Sequence, residues 1–352
     1  MSTREPGRTP LREPRPAPPR GPGRQRRSRG KAAVSSRVIT VVTVVVAAVA
    51  AVFAISRSHI TSPGPPSLRI VLPPRPESYL GVFVNGAPPA YQPVADFAQT
   101  AGARPNIVGY YSGWAQPFAA SFAQDLHRHG AIPFVQIDPT LASVAGIARG
   151  AYDEYLRAYA DSVRDFGHAV IVGFGHEMNA PTYSWGYHHV KPQTFTAAWR
   201  HIVTLFRGRG AGNVTWLWTL QADRQGTGPV SAWWPGARYV SWVGIDGYYY
   251  RSSDTFASVF GRTIAEVRKL TRQPVLLSET AVGPRAGQFA KITDLFRGIR
   301  QSHALGVVWF NKAQDDGIYH QDWRIEDNPG AAASFQLGVA DLRLAQVSPG
   351  PG

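Results

Sequence analysis

The chain has 352 residues, of which 44% are hydrophobic and 11% aromatic, and it contains no cysteine. This hydrophobic content supports a sizeable core and excludes a chain that is disordered throughout. The lack of cysteine excludes disulfides, thiolate nucleophiles, iron–sulfur clusters and cysteine-based zinc sites. The net charge is +14, but residues 1–37 hold eleven Lys or Arg against two Glu, so the remainder is only mildly basic. We therefore expect no nucleic-acid partner.

The first 56 residues predict a membrane anchor. Residues 1–37 are rich in Arg, Pro and Gly without apolar periodicity, which predicts a disordered basic tail. Residues 38–56 carry no charge, and these 19 residues approach the ~20 that a helix needs to cross a bilayer. The basic flank predicts a cytoplasmic N-terminus beside anionic lipid and an extracellular C-terminus, as in a single-pass protein of the cell membrane. The alternative is a cleaved signal peptide and a secreted protein, although such apolar regions are usually ~7–15 residues long.

The remaining chain divides into three segments. Residues 57–77 are rich in proline and predict a semi-rigid linker, and residues 346–352 predict a flexible C-terminus. Between them, residues 78–345 alternate short apolar runs with amphipathic helical patterns. The eight apolar runs are Leu80–Val84, Asn106–Tyr110, Ile132–Ile137, Ala169–Phe174, Asn213–Thr219, Val240–Ile245, Pro274–Leu277 and Val307–Phe310. The clearest helical patterns are Tyr152–Phe166, Phe195–Arg207 and Phe256–Leu270.

Eight strands alternating with helices predict an α/β fold, specifically a (β/α)₈ TIM barrel. The alternative is a doubly wound parallel sheet. Such a sheet usually carries a glycine-rich phosphate loop after its first strand, and the residues that follow Val84 do not match one.

Two glutamates follow predicted strands at the end where TIM barrels carry their catalytic residues. Glu177 lies in Gly173–Asn179 after the fourth run, and Glu279 lies in Leu276–Thr280 after the seventh. Glycoside hydrolysis needs two facing carboxyl groups: one protonates the leaving oxygen, and the other attacks the anomeric carbon or activates water. A rim salt bridge would explain either glutamate alone, but it explains the pair less well.

Other catalytic motifs do not match. The segment His176–Ala180 lacks the second histidine of the His-Glu-x-x-His zinc motif. The sequence contains neither a Gly-x-Ser-x-Gly elbow nor a P-loop. We therefore expect neither a metal nor a cofactor.

The segments Phe174–Asn179 and Tyr183–Gly186 resemble glycoside hydrolase family 26, a TIM-barrel family of β-mannanases and of relatives acting on β-1,3-xylan or mixed-linkage β-glucan. The resemblance covers roughly residues 78–340, because later stretches agree in order and spacing. These stretches are Trp242–Tyr248, Leu277–Thr280, Trp309–Lys312 and Asp322–Arg324. Ala180 and Pro181 depart from the family, which usually has glycine after His-Glu-Met-Asn, so the loop that follows is changed.

The resemblance implies a retaining double displacement with Glu177 as general acid/base and Glu279 as nucleophile. The nearness of the two charges should raise the pKa of one carboxyl group, keeping Glu177 protonated while Glu279 is ionised.

The resemblance also implies substrate contacts from other side chains. Tyr248 would hydrogen-bond the nucleophile, Trp309 would form a sugar platform, and Asn179 would contact sugar hydroxyls or fix its loop. Further contacts are implied for His176 and Trp185, and the strand ends add Trp114 and Asp138 as weaker cleft candidates. Strict strand alternation would point His176 and Glu177 to opposite faces, so both reach the site only if the strand has ended or bulges there.

The sequence thus predicts a membrane-anchored extracellular endo-β-glycanase with a polysaccharide substrate, most simply β-mannan. Two alternatives remain open. One is a polysaccharide-binding barrel without catalysis, which would not need the paired carboxyl groups. The other is a transglycosylase that uses the same residues to remodel the cell's own envelope polysaccharide.

Overall fold

The computed structural model describes residues 77–347 apart from three short gaps. The gaps are 224–225, 284–286 and 315–319. The predicted basic tail, membrane anchor and proline-rich linker lie outside the described residues, except for Glu77, as do residues 348–352. None of the helices in the part of the chain that the structure describes is both long and apolar enough to cross a membrane.

Eight parallel strands close into a barrel. They are β1 (Glu77–Val84), β2 (Ile107–Gly113), β3 (Ile132–Asp138), β4 (Val170–Phe174), β5 (Val214–Gln221), β6 (Trp242–Tyr249), β7 (Val275–Val282) and β8 (Gly306–Asn311). Each strand pairs with the next along the chain, and β8 pairs with β1. This closure confirms the predicted barrel and excludes the doubly wound sheet. Strands β2, β5, β6 and β7 continue beyond their apolar runs, because backbone pairing extends onto polar and aromatic residues at their C-terminal ends.

Helices follow the strands and cover the outside of the barrel. They are α1 (Gln92–Ala101), α2 (Ala120–Arg128), α3 (Val144–Ala148), α4 (Asp153–Phe166), α5 (Pro192–Gly208), α6 (Arg262–Leu270), α7 (Gln288–Ser302) and α8 (Pro329–Ala340). The predicted helices over 152–166 and 195–207 are confirmed as α4 and α5. The third pattern forms a π-helical turn, Ala257–Gly261, that leads into α6.

Short elements complete the described chain. Two 3₁₀ turns, Val230–Trp233 and Ala237–Tyr239, connect β5 to β6. Strands β9 (Ala313–Gln314) and β10 (Gln321–Asp322) form an antiparallel pair after β8. Strand β11 (Arg343–Leu344) adds to β1 in parallel.

The packing of α4 shows why these patterns fold as they do. Leu156, Tyr159 and Val163 recur at helical spacing and are all buried. Asp153 and Glu154 lie in the first turn, where negative charge favours the helix dipole. The apolar stripe is therefore buried, and the opposite, charged face lies at the surface.

A polar layer crosses the barrel interior. The Gln136 amide donates to Thr219 Oγ1 at 2.9 Å, and both side chains are buried. At Gly244, an added Cβ would lie 2.5 Å from Ser278 Oγ and 2.7 Å from Thr219 Oγ1. Only glycine at this position leaves room for the polar groups that β5 and β7 send inward.

Candidate active site

A cleft of about 250 Å³ lies at the C-terminal ends of the barrel strands. It is lined by Tyr111, Asp138, His176, Glu177, Tyr183, Gln221, Tyr248, Tyr250, Glu279, Phe310 and Gln314. Both predicted catalytic glutamates are among these residues. The lining therefore combines three carboxyl groups, those of Asp138, Glu177 and Glu279, with aromatic rings, which suits a ring-shaped polar ligand.

Strand β4 ends at Phe174, and the turn that follows it brings both His176 and Glu177 to the cleft. Gly175 and Glu177 both adopt left-handed backbone conformations, with φ of +54° and +53°. The Glu177 N–H then donates to the Thr219 carbonyl at 3.0 Å, which ties the turn to β5. The condition set by strand alternation is thus met, because the strand has ended before these two residues.

Glycine is required at position 175 for packing as well as for its backbone conformation. An added Cβ would lie 2.9 Å from a ring carbon of Phe195 and 3.1 Å from one of Trp185. These two rings pack against the turn at Gly175. A residue with a side chain at this position would therefore displace the turn that carries Glu177.

Glu279 lies within β7 instead of after it, because β7 continues to Val282. The pairing of β7 with β8 shifts register between Leu277 and Thr280, which marks an irregularity at Glu279. Such irregularities turn a side chain out of the regular alternation of a strand. Hydroxyl groups of Tyr111 and Tyr248 donate to the two carboxyl oxygens of Glu279, one to each.

Glu279 is held in a strongly perturbed electrostatic environment. Burial raises the pKa of Glu279 to about 8, and the positive charge of Lys312 acts against that rise. The Lys312 ammonium lies 5.3 Å from the centroid of the Tyr111 ring and 5.2 Å from that of Phe310. Burial lowers the pKa of Lys312, and the Glu279 charge opposes that change. The structure thus raises the pKa of Glu279, whereas the sequence analysis predicts that Glu279 is the ionised carboxyl group.

His176 forms a buried ion pair with Asp138. Its Nδ1 lies 2.9 Å from Asp138 Oδ1. Burial acts to lower the pKa of His176, but the carboxyl groups of Asp138, Glu177 and Asp246 outweigh burial and raise the pKa to about 9. The predicted placement of His176 and Asp138 in the cleft is matched, and His176 brings positive charge next to Glu177.

Asp246 is a buried carboxyl group that the sequence analysis did not single out. Burial, and next the charge of Glu177, raise the pKa of Asp246 well above its ordinary value. Its Oδ1 accepts a hydrogen bond from Ser278 Oγ at 2.5 Å. Asp246 is two residues before Tyr248 on β6, so it lies behind the cleft and does not line it.

Trp309 does not lie where the sequence predicted a sugar platform. It is fully buried between the barrel and α8, where its ring packs edge-on against Phe335 at 5.0 Å. Its indole N–H donates to the Trp323 carbonyl at 3.1 Å. Neighbouring residues on a strand point to opposite faces, so Phe310 lines the cleft instead. The platform interpretation of Trp309 is corrected accordingly.

Trp309→Ala should lower the free energy of unfolding by about 3–5 kcal/mol, because it leaves a cavity in the core. A urea titration followed by circular dichroism measures this change. Leu141→Ala is the control, since Leu141 is 90% exposed and its loss should stay within about 0.5 kcal/mol. Equal stabilities for the two variants would contradict the buried position of Trp309.

Trp185 and Trp114 are also core residues outside the cleft lining. The Trp185 indole donates to the His176 carbonyl at 2.9 Å and stacks on Tyr183 at 4.5 Å. Trp114 packs against Tyr155 at 4.9 Å. Both predictions of substrate contact are therefore corrected. Tyr183, which stacks on Trp185, lines the cleft in its place. Trp114 is buried against Tyr155.

Asn179 fixes its loop, which is one of the two roles left open by the sequence. Its side-chain amide donates to the Gln221 carbonyl, and its Oδ1 accepts from the Gln221 N–H, both at 2.9 Å. Asn179 is buried and does not line the cleft. The amide thus pairs with β5 like an additional peptide group.

Six of the lining residues were not identified from the sequence. They are Tyr111, Tyr183, Gln221, Tyr250, Phe310 and Gln314. Tyr111 is the residue after the second apolar run, and Gln221 is two residues after the fifth. Considering the first two residues after every run would therefore have identified both. Tyr183 and Gln314 carried no such signal, because they lie in connections beyond the eight barrel strands. Phe310 ends the eighth apolar run, where the pattern does not show which face of the strand it takes. Among the described residues, no group of three or more His, Asp or Glu side chains is arranged to hold a metal ion.

Comparison with known proteins identifies relatives over most of the barrel. Residues 106–339 match the family model described as glycosyl hydrolase family 26. Endoglucanase H of Acetivibrio thermocellus is 27% identical over 277 residues, covering 74% of this chain and 30% of that protein. The β-1,3-xylanase TXYA of a Vibrio species is 23% identical over 233 residues, covering 61% of this chain and 48% of that protein. The chain thus spans less than half the length of these curated relatives.

Solved structures show the same fold. The catalytic domain of the GH26 endo-β-1,4-mannanase from Bacillus sp. JAMB-750 superposes with a TM-score of 0.60 at 15% identity. The match covers 79% of this chain and 89% of that one. At this level of identity the similarity establishes the barrel architecture.

Proposed function

The chain belongs to glycosyl hydrolase family 26, and from this premise we propose that it is a retaining endo-β-glycanase that cleaves polysaccharide. The observation that carries the proposal is the presence of Glu177 and Glu279 in one small cleft, on β4 and β7 sides of the barrel. A retaining mechanism needs two carboxyl groups ~5–5.5 Å apart, close enough for one to attack the sugar directly.

In the first half-reaction, Glu279 is the nucleophile. A carboxylate oxygen of Glu279 bonds to the anomeric carbon while the bond from that carbon to the leaving oxygen breaks. Glu177 gives its proton to the leaving oxygen, so the released chain departs as a neutral alcohol. The Tyr111 and Tyr248 hydroxyls hold both oxygens of Glu279 and so aim the attack.

In the second half-reaction, Glu177 is the base. It takes a proton from water while the water oxygen bonds to the anomeric carbon and the ester bond to Glu279 breaks. Two inversions at the same carbon restore the β configuration. His176, whose pKa the neighbouring carboxyl groups raise to about 9, places a positive charge beside Glu177.

We propose β-mannan as the first substrate and β-glucan as the second. The β-mannan proposal is supported by the mannanase structures that share the fold. The β-glucan proposal is supported by Endoglucanase H, a relative by sequence over 277 residues. Phe310 and the tyrosines of the cleft offer apolar ring faces to either sugar.

The test uses the full chain, purified with detergent, on mannan, glucomannan, mixed-linkage β-glucan and β-1,3-xylan. We expect short oligosaccharides whose first-formed anomer is β by proton NMR. Release of the α anomer would overturn the retaining mechanism. Binding without cleavage would establish the non-catalytic barrel instead, and products longer than the substrate would establish the transglycosylase.

Anchoring in the cell membrane stays a prediction, because residues 38–56 lie outside the described residues. An anchored glycanase would act on polysaccharide close to the cell surface. Recovery of the activity from washed membranes is the expected result, and recovery from the culture medium would indicate the cleaved signal peptide.

Lys312→Met should move the rising limb of the kcat/KM pH profile to higher pH. Glu279 must be ionised to attack, and loss of the Lys312 charge removes a group that lowers the Glu279 pKa. At pH 6 we expect kcat/KM of the variant to fall to about a tenth of the parent value, with the gap narrowing as pH rises. Lys312→Arg keeps the charge and is the control. An unmoved rising limb in Lys312→Met would show that the Lys312 charge does not act on Glu279.

A further inference from the structure

A closed set of hydrogen bonds joins the turn after β4 to the end of β5. The Glu177 N–H donates to the Thr219 carbonyl, and two residues later the Asn179 side chain binds both backbone groups of Gln221. The Gln221 side chain then returns to the turn, where its amide nitrogen donates to Glu177 Oε2 at 3.3 Å. The turn after β4 and the end of β5 are thus joined by side-chain bonds as well as by a backbone bond.

The turn needs this support, because Glu177 adopts a left-handed backbone conformation that a residue with a side chain rarely takes. Such a conformation is strained and persists only where the surroundings determine it. The Thr219 carbonyl holds the Glu177 backbone, and the Gln221 amide holds its carboxyl group.

The Gln221 amide also distinguishes the two oxygens of Glu177. An oxygen that accepts an N–H bond is the poorer site for a proton, because the two hydrogens compete for the same lone pairs. The Gln221 bond to Oε2 therefore favours Oε1 as the oxygen that carries the proton of the neutral carboxyl group. The position of one glutamine amide thus biases which atom donates the proton.

We propose that Gln221 is a positioning residue that orients the Glu177 carboxyl group for proton transfer, and that Asn179 holds Gln221 in place for this task. This inference rests on the proposed role of Glu177 as general acid. It adds two residues to the proton-donating apparatus that do not themselves exchange a proton.

The test compares substrates that differ in their need for the acid. The bond to a polysaccharide leaving group breaks only with proton transfer, whereas a 2,4-dinitrophenolate leaves without a proton. The probes are the best polysaccharide of the panel above and the 2,4-dinitrophenyl β-glycoside of its disaccharide unit. The measured quantity is kcat/KM, which reports the first half-reaction.

Gln221→Met keeps the side-chain length and removes the donor. We expect it to lower kcat/KM on the polysaccharide about 10–100-fold, since a misplaced catalytic group costs up to ~10²-fold. On the dinitrophenyl glycoside we expect kcat/KM to stay within about threefold. Asn179→Leu should show the same contrast between substrates, because it removes both bonds to the Gln221 backbone.

Gln314→Met is the matched control. Gln314 is another glutamine of the cleft, but its Oε1 accepts a hydrogen bond from the Trp323 indole. Its substitution should change kcat/KM on both substrates by similar factors. Gln221→Glu, which replaces the donor with an acceptor, is the second variant should Gln221→Met fail to fold in circular dichroism.

The outcomes separate this inference from the proposed function. If Glu177→Ala shows the contrast between substrates and the Gln221 variants do not, the positioning role is overturned and the function stands. Equal losses on both substrates in Gln221→Met would also overturn it, because they indicate only a structural role. If the parent cleaves neither substrate, or Glu177→Ala shows no contrast, the proposed function fails and the positioning role fails with it.

Discussion

Glu279→Ala should reduce hydrolysis of every polysaccharide by on the order of 10⁴-fold or more, because it removes the carboxylate that forms the glycosyl ester. A loss of 10⁴-fold corresponds to about 5.5 kcal/mol of transition-state stabilisation. Glu279→Gln should lose as much, since an amide keeps the shape but lacks the attacking charge. The measurement is the rate at which reducing ends are released, at enzyme concentrations high enough to detect the residual activity.

Azide provides a second readout for Glu279→Ala. With a 2,4-dinitrophenyl β-glycoside, azide enters the space left by the carboxylate, bonds to the anomeric carbon and displaces the phenolate. The product should be the α-glycosyl azide, because only one displacement occurs. Glu266→Ala is the control, since Glu266 pairs with Arg262 on α6 away from the cleft and should keep activity within about twofold. Full activity in Glu279→Ala would remove it from the mechanism.

Glu177→Ala should reduce kcat/KM on polysaccharide by about 10²–10⁴-fold, the range expected for loss of a general acid. The dinitrophenyl glycoside should still form the glycosyl-enzyme, which then accumulates because no base activates water. A burst of dinitrophenolate equal to the enzyme concentration, followed by slow turnover, is the expected trace.

Azide should rescue Glu177→Ala with the opposite stereochemistry. Azide needs no base, so it attacks the glycosyl-enzyme, breaks the ester to Glu279 and gives the β-glycosyl azide. If the α-azide formed instead, the assigned roles of the two carboxyl groups would be exchanged. Loss of activity without a burst on the activated substrate would mean that Glu177 is needed for binding or folding.

The sequence predicted the positions of the two carboxyl groups because the topology of the barrel places them at one end. Any residue that follows an apolar run in a (β/α)₈ pattern lies at the same end of the barrel. Glu177 and Glu279 therefore fall in one cleft although 102 positions separate their numbers. Asp138 is placed in that cleft by the same rule.

The aromatic residues show where this rule fails. Trp309 and Phe310 are adjacent, and a one-residue difference on a strand exchanges the core face for the cleft face. The sequence pattern does not reveal that Trp309 packs against α8, because that contact joins residues 309 and 335 across separate elements. Trp185 is displaced from the cleft in the same way, by the loop path that brings Tyr183 in front of it.

Position along the chain by itself determined the class of fold, the eight strands and the end of the barrel that carries the two glutamates. These features depend on hydrophobic periodicity, which is local and survives any detail of packing. Only the tertiary structure decided which atoms meet. It placed the tyrosines that bond to Glu279, the lysine whose charge acts against the rise in the Glu279 pKa, and the Gln221 amide that bonds to Glu177. These contacts join residues far apart in sequence, and their geometry is set by backbone irregularities at Glu177 and Glu279 that no periodic pattern encodes.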